Sequence, residues 1–311
     1  MNRQLKGFLI TSTGATMWGL NAVAGKYVMG EKGVDPVWMV TLRLILAGIV
    51  LLGIAIVKDN AQDASGIVAL KGKVLNVFAI WKDKKSVGRL LIIAVFAFAI
   101  CQVSYFAAID LSNAGIATAI QQTAPVFVLL SVLVLEKRLP KIMEIIVLVT
   151  VIFGAFMLAT GGNLKALIMP ANALILAIIS SITCAMYTVL PGKLIRQYGT
   201  FATIGWGMLL AGILLIPIAK LWVVSGIWDF STILVFSFVI IFGTVMAFAT
   251  FLYGITIVGP LTGSILGLIE PVVAAFASAI ILQQTFLVTD IIGIVAILAG
   301  VTMLAIYNEK K

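Results

Sequence analysis

The chain has 311 residues, 62% of them hydrophobic and 11% charged, with 21 basic against 12 acidic side chains, a formal charge of +9 and no histidine. Soluble domains run near half apolar and a quarter charged, so the composition is that of a polytopic membrane protein. The missing histidine excludes His-based catalysis, His-ligated metal and His pH sensing, and the basic surplus is explained by loops between apolar runs without a nucleic-acid partner.

A spanning helix needs about 20 apolar residues. Ten such segments can be drawn, at 7–29, 36–57, 87–108, 113–135, 141–160, 171–191, 200–224, 231–257, 260–282 and 288–307. The first is longer than a signal-peptide core and lacks a clear small-residue cleavage site, so it is read as a permanent helix. With the N-terminus inside, sixteen of the 21 basic residues fall on cytoplasmic segments, while Lys26, Lys32, Lys165 and Lys220 lie outside and Arg43 within the membrane. This bias predicts an even helix count with both termini cytoplasmic. Cys101 and Cys184 both fall inside spans and read as small packing residues rather than a disulfide or metal pair.

Between the second and third spans lies a long connection, 58–88, in which Ile67, Leu70, Val74, Phe78 and Trp81 fall near helical spacing among Lys71, Lys73, Lys82, Lys84 and Lys85. That pattern fits an amphipathic helix on the anionic inner leaflet, or equally a basic loop that serves topology. Elsewhere the halves repeat. The run from Ser104 to the leucines after Pro125 lies over the run from Thr250 at a constant offset of 146 positions, and LAGIVLLGIAI at Leu46 faces LAGILLIPIAK at Leu210. The expected domains are therefore a first five-helix repeat over 1–160, a linker over 161–170 and a second repeat over 171–311. Five is odd, so the second copy enters the membrane inverted, as in many secondary transporters whose substrate sits near the midplane between repeats.

GSILGLIEPV, Gly263 to Val272, holds Glu270 inside an apolar run. A charge at the bilayer centre costs at least about 2.5–3.5 kcal/mol on insertion scales, so such an acid normally meets a water-filled cavity or a partner. Glu270 is expected to bind a cationic substrate group or a proton; the bland alternative is a protonated carboxyl satisfied by a neighbouring helix. Gly263, Gly267 and Glu270 fall at i, i+4 and i+7, one face of a helix, with Pro271 next. The equivalent stretch ATAIQQTAPV carries Thr118, Gln121, Gln122 and Pro125 on one face. Pro125 and Pro271, with Gly263 and Gly267, are candidate hinges or static bends. Arg43 could hold a substrate carboxylate, form an ion pair that changes during rocking, or bond helix-end carbonyls. Trp18 and Asn21 on the first helix, Gln102 and Tyr105 on the third, Tyr187 on the sixth and Tyr253 on the eighth are candidate pocket residues; singly, each reads as interhelical bonding.

Ten helices in two five-helix repeats resemble the drug/metabolite transporter superfamily, in particular its EamA-type members. The carriers are GATMWGLNAVAGKYV, TLRLILAGIVLL with Arg43, AIQQTAPVFVLLSVLVLEKRL followed by IVLVTVIFGAFMLA, and GLIEPVVAAFASAIILQQTF followed by IIGIVAILAGVTMLA. Such proteins export or exchange amino acids, drugs and other small metabolites. The resemblance also implies an acid just after the fourth and ninth helices; Glu136 fills the first place, Gln283 and Gln284 stand at the second, which marks a structural cap.

The expectation is an all-α transporter of the inner or plasma membrane with no cofactor, coupled to protons through Glu270, and acting as monomer or homodimer on a small molecule, an amino acid or related compound. An uncoupled facilitator and multidrug efflux of organic cations are the rival readings. No nucleotide-binding loop, metal cluster or nucleophile motif is present, so an enzyme is not expected.

Overall fold

The computed structural model describes residues 3–65, 77–163 and 167–309, whose secondary structure is all helix joined by turns and short connections, without strands. The long apolar runs leave the backbone no partner in lipid except itself, which selects helices. In chain order they are α1 (Arg3–Gly30), α2 (Pro36–Ser65), α3 (Lys84–Ile92) continuing through a π-helical segment (Ile93–Ile100) into α4 (Cys101–Leu111), α5 (Ala114–Gln121), α6 (Ala124–Leu135), α7 (Ile142–Thr160), α8 (Ala171–Val189), α9 (Gly192–Tyr198), α10 (Thr200–Ala219), α11 (Phe230–Ile240) continuing through a second π segment (Ile241–Met246) into α12 (Ala247–Val258), α13 (Pro260–Gly267), α14 (Ile269–Ile281) and α15 (Val288–Glu309). Among the described residues seven helices are long and apolar enough to cross a membrane, or eight if α8 and α9, bent by 42°, count as one. Helix α1 spans 28 residues but is not one of them; Thr11, Ser12, Thr13 and Asn21 dilute its apolar character.

Two antiparallel seams hold the bundle, and both are made by glycine. In the first, a Cβ on Gly48 of α2 would lie 2.7 Å from the Leu209 nitrogen of α10, and one on Gly212 of α10 would lie 2.6 Å from Ile45. In the second, a Cβ on Gly154 of α7 would lie 2.7 Å from the Gly293 carbonyl of α15 and 2.8 Å from Ile297, and one on Gly300 would lie 2.6 Å from Val151. Small residues let helix backbones approach where no hydrophobic force drives them together.

Both apolar runs that contain the prolines are interrupted. The α5–α6 run breaks at Gln122 and Thr123, which take near-bridge dihedrals, and the α13–α14 run breaks at Leu268 (φ −69°, ψ −5°). This corrects the expectation of continuous, proline-kinked helices. Pro125 stands at the start of α6 and Pro271 in the first turn of α14, where a helix has free N–H groups, so neither ring removes a ladder bond. The single face expected for Gly263, Gly267 and Glu270 is therefore divided: Gly263 packs towards Ile255, while Gly267 ends α13 before the break.

The helix termini at α7 and α15 are capped in the same way. The Glu144 carboxylate accepts from the Lys141 backbone N–H (2.9 Å), and the Asp290 carboxylate accepts from the Leu287 N–H (2.8 Å). Glu144 is wholly buried and also takes two bonds from the Arg138 guanidinium, at 2.7 and 3.0 Å. Glu136, the acid expected to cap, instead receives Arg138 Nε (2.7 Å) beside this turn.

Of the 58–88 connection, α2 extends to Ser65, and the part with Ile67, Leu70, Lys71, Lys73 and Val74 lies outside the described residues. Phe78 and Trp81 sit in a turn and a short 3-10 helix, and both rings meet Trp206 of α10 edge-on, with centroids 5.7 and 5.0 Å away. The Trp206 indole donates to the Val77 carbonyl (2.9 Å). Lys165, Lys310 and Lys311 also lie outside the described residues. At the other end of the bundle, Lys32 pairs with Asp229 at 2.7 Å, joining the α1–α2 and α10–α11 connections.

Candidate functional site

The two breaks face one another across the interior. Glu270 follows the Leu268 break in the first turn of α14, where the helix's free N–H groups and positive dipole end favour a carboxylate. Gln122, at the other break, donates from Nε2 to Glu270 Oε2 at 3.1 Å. The Tyr105 hydroxyl of α4 lines the same cavity and exchanges a 2.8 Å bond with Thr118 of α5. Among the described residues the ion pairs are Lys32–Asp229, Arg138–Glu136 and Arg138–Glu144, so Glu270 is held by an amide and a helix terminus, with no fixed cation.

These groups open on a cavity of about 420 Å3 in the middle of the bundle, within the roughly 300–1,000 Å3 typical of small-molecule sites. Its polar lining is Glu270, Arg43, Gln102, Tyr105, Gln121, Gln122 and Asn21, and its apolar walls include Trp18, Tyr187, Phe248, Phe251 and Leu252. Trp18 packs on Phe248 and Phe251 with centroids 5.0 and 4.6 Å away, and Tyr187 meets Phe98 edge-on at 5.5 Å. Such rings present flat apolar surface to a ligand.

Arg43 reaches the same cavity although it is only 3% exposed. One guanidinium nitrogen donates to Gln102 Oε1, the group stacks over the Phe106 ring 4.5 Å from its centroid, and its Nε has no partner. Cation–π contact of this kind holds a desolvated guanidinium without neutralising it. Tyr105 lines the same cavity as Arg43 and Glu270, so acid, base and phenol share one space.

The structure thus brings together Glu270, Arg43, Trp18, Asn21, Gln102, Tyr105, Gln121, Gln122 and Tyr187, with Pro125 and Gly267 also on the wall. Tyr253 is not among them. It is 55% exposed, because it lies on the outer side of α12 while Phe248, Phe251 and Leu252 take the inner side. Pro271 and Gly263 are likewise outside the lining. Sequence reasoning missed Phe248, Phe251 and Phe106, whose polar handles are nil, and the two helix-capping acids; for Glu144 and Asp290 a signal was present, since they recur at the repeat offset of 146. The two cysteines, expected only to fill space, both line the cavity.

A multi-pass helical membrane protein with an acid, an arginine and aromatic walls around an internal cavity has the form of a small-molecule transporter. The chain belongs to the EamA-like transporter family: the family model matches residues 5–160 and 171–306. It is therefore a membrane transporter and not an enzyme. A curated relative, described as an uncharacterized inner membrane transporter YicL from Salmonella typhimurium, is 28% identical over 315 aligned positions that cover 100% of this chain and 99% of the relative. A chain of known crystal structure aligns over 98% of both chains with a TM-score of 0.62 at 16% identity, a likeness of fold.

Proposed function

We propose that the protein is a secondary transporter of the cytoplasmic membrane that exports or exchanges a small zwitterionic metabolite, an amino acid or close relative, by alternating access around Glu270. The observation that carries this reading is a single cavity lined by both an acid without a fixed cation and an arginine with an unsatisfied nitrogen. The ammonium of an amino acid would meet Glu270, its carboxylate would meet Arg43, and its side chain would lie on Trp18, Phe248 and Phe251. A proton held on Glu270 when the substrate leaves would couple transport to the proton gradient, and no resident cofactor is needed.

The moving parts in this reading are ten helices in two inverted repeats, 1–160 and 171–311, joined over 161–170, with both termini cytoplasmic. Several features support the repeat. The breaks at Gln122 and Leu268, the starts of α7 and α15, and the capping acids Glu144 and Asp290 all recur at an offset of 146. The antiparallel seams pair residues reciprocally: Gly154 with Ile297 maps onto Val151 with Gly300, and Gly48 with Leu209 maps onto Ile45 with Gly212. Reciprocal pairing across antiparallel helices is what a two-fold axis in the membrane plane requires.

The test is counterflow in proteoliposomes with a panel of zwitterionic amino acids and an imposed pH gradient. Accumulation against the substrate gradient supports a coupled carrier, and equilibration without accumulation supports an uncoupled facilitator. Efflux of organic cations is the second reading, favoured by the binding of Arg43 to Gln102 and Phe106, which leaves Glu270 and the aromatic wall as the open surface. Arg43→Gln separates the two: it abolishes transport of a zwitterion and spares that of an aromatic cation.

A further inference from the structure

Cys101 begins α4 and Cys184 lies on α8, and these are the chain's only cysteines. The two helices are bonded to each other at this level. The Ser180 hydroxyl donates to the Cys101 carbonyl at 3.3 Å, the Cys101 thiol donates to the Ser180 carbonyl at 3.7 Å, and Ser180 is fixed in turn by Gln121 at 2.6 Å. Cys184 stands four residues beyond Ser180, one helical turn along the same face. Both cysteines line the central cavity, with the Cys101 thiol on the Ser180 carbonyl and Cys184 one turn further along α8.

We propose that Cys101 and Cys184 form a dithiol site in the cavity wall that captures thiophilic centres able to bridge two sulfurs, organic arsenic(III) compounds being the class that fits. Soft thiolates select soft, polarisable centres, and two thiols on one stretch of cavity wall, both beside Ser180, can take such a centre between them. With phenylarsine oxide the step balances without an oxidant. Two arsenic–sulfur bonds form, the arsenic–oxygen bond breaks, and the two thiol protons leave with that oxygen as water, arsenic remaining trivalent. The phenyl group has the cavity to enter, beside Tyr187, one turn from Cys184. The bridge ties α4 to α8, one helix from each half of the chain. On the transport reading above, in which the halves move against each other, it arrests transport.

The experiment uses the full chain in lipid nanodiscs, phenylarsine oxide as probe and intact-mass spectrometry as readout. The expected result is one arsenical per chain, with the loss of both thiol hydrogens, removed by 2,3-dimercaptopropanol and resistant to a monothiol at the same thiol concentration. Cys101→Ser and Cys184→Ser each lower apparent affinity at least about 100-fold, because the second sulfur otherwise acts at millimolar or higher effective concentration. Gel filtration of each variant, matched to the wild type, ties that loss to the missing sulfur. Wild-type protein that takes up no arsenical while folded, or single-cysteine variants that bind as tightly as the wild type, would overturn the site. In proteoliposomes the arsenical stops wild-type transport and leaves each single variant at its own untreated rate. An adduct that forms without slowing a transporting wild type overturns the lock, and the mass readout judges the site whether or not a substrate has been found.

Discussion

Glu144 and Glu270 each stand in the first turn of a helix, and the two are treated differently. At the α6–α7 turn, Glu144 is wholly buried and fully matched, by two nitrogens of Arg138 and the Lys141 backbone N–H. In the central cavity Glu270, also in a helix's first turn, accepts from Gln122 and pairs with no cation among the described residues, beside open space. A buried acid that finds a cation and a helix start has nothing left to offer a ligand and acts as a clamp. One that is half-matched, at the edge of a cavity, keeps capacity for whatever enters. Charge in the membrane is thus a cue to function only once its partners are known.

That contrast can be broken most directly by exchanging each acid for its amide. Glu270→Gln is expected to lower transport in proteoliposomes under a pH gradient by roughly 100-fold or more, about 2.8 kcal/mol at 1.4 kcal/mol per decade, with the thermal midpoint in detergent nearly unchanged. Wild-type rates in that variant would put Glu270 in the same category as Glu144. Glu144→Gln should do the reverse. Removing a buried partner of Arg138 and the α7 cap costs stability of about 1–3 kcal/mol, read as a lower melting temperature, while transport per folded molecule stays within about twofold of wild type on the same per-decade scale.

Next in size is Gly154→Leu in the α7–α15 seam. A Cβ there already lies 2.7 Å from the Gly293 carbonyl, so a side chain forces the backbones apart and destabilises by about 1–3 kcal/mol, measured by thermal unfolding. Smaller still is Lys32→Gln. The pair with Lys32, and bonds from Thr232 and Ser231, hold the Asp229 carboxyl well below the usual carboxylate range. A depressed acid contributes stability above its ordinary pKa and loses it as pH falls through the depressed value. Breaking this exposed pair should therefore shift the melting temperature by less than about 2 °C, and equally at pH 5 and pH 8. Tyr253→Ala, on the outer side of α12, should leave transport unchanged; a loss there would mean that the cavity extends further than its present walls.

Much of the fold was legible because lipid imposes a length and a composition on each helix. The runs at 36–57, 141–160 and 288–307 come out within a few residues of α2, α7 and α15, apart from the extension of α2 to Ser65. The site was legible in its polar members, since glutamate, arginine, glutamine and asparagine are conspicuous in hydrocarbon. Phe248 and Phe251 were not, because in a chain this apolar a phenylalanine that faces a cavity looks the same as one that faces lipid. Nor were the helix breaks. Pro125 and Pro271 pointed to the right neighbourhoods, but proline is as compatible with a first turn as with a kink, and only the packing of α5 against α14 selects the former.

The order of residues by itself determined that this chain lives in a membrane, that its long apolar runs are helical, and that an acid lies within one of them. These are local properties, written in composition, run length and spacing. Which side chains share the cavity, that Arg138 rather than a substrate occupies Glu144, that Tyr253 turns outward, and that two cysteines 83 positions apart line one cavity were decided by tertiary structure. The reason is geometric: a helix displays side chains in every direction around its axis, and the direction that becomes the inside is set by the glycine seams against which its neighbours close.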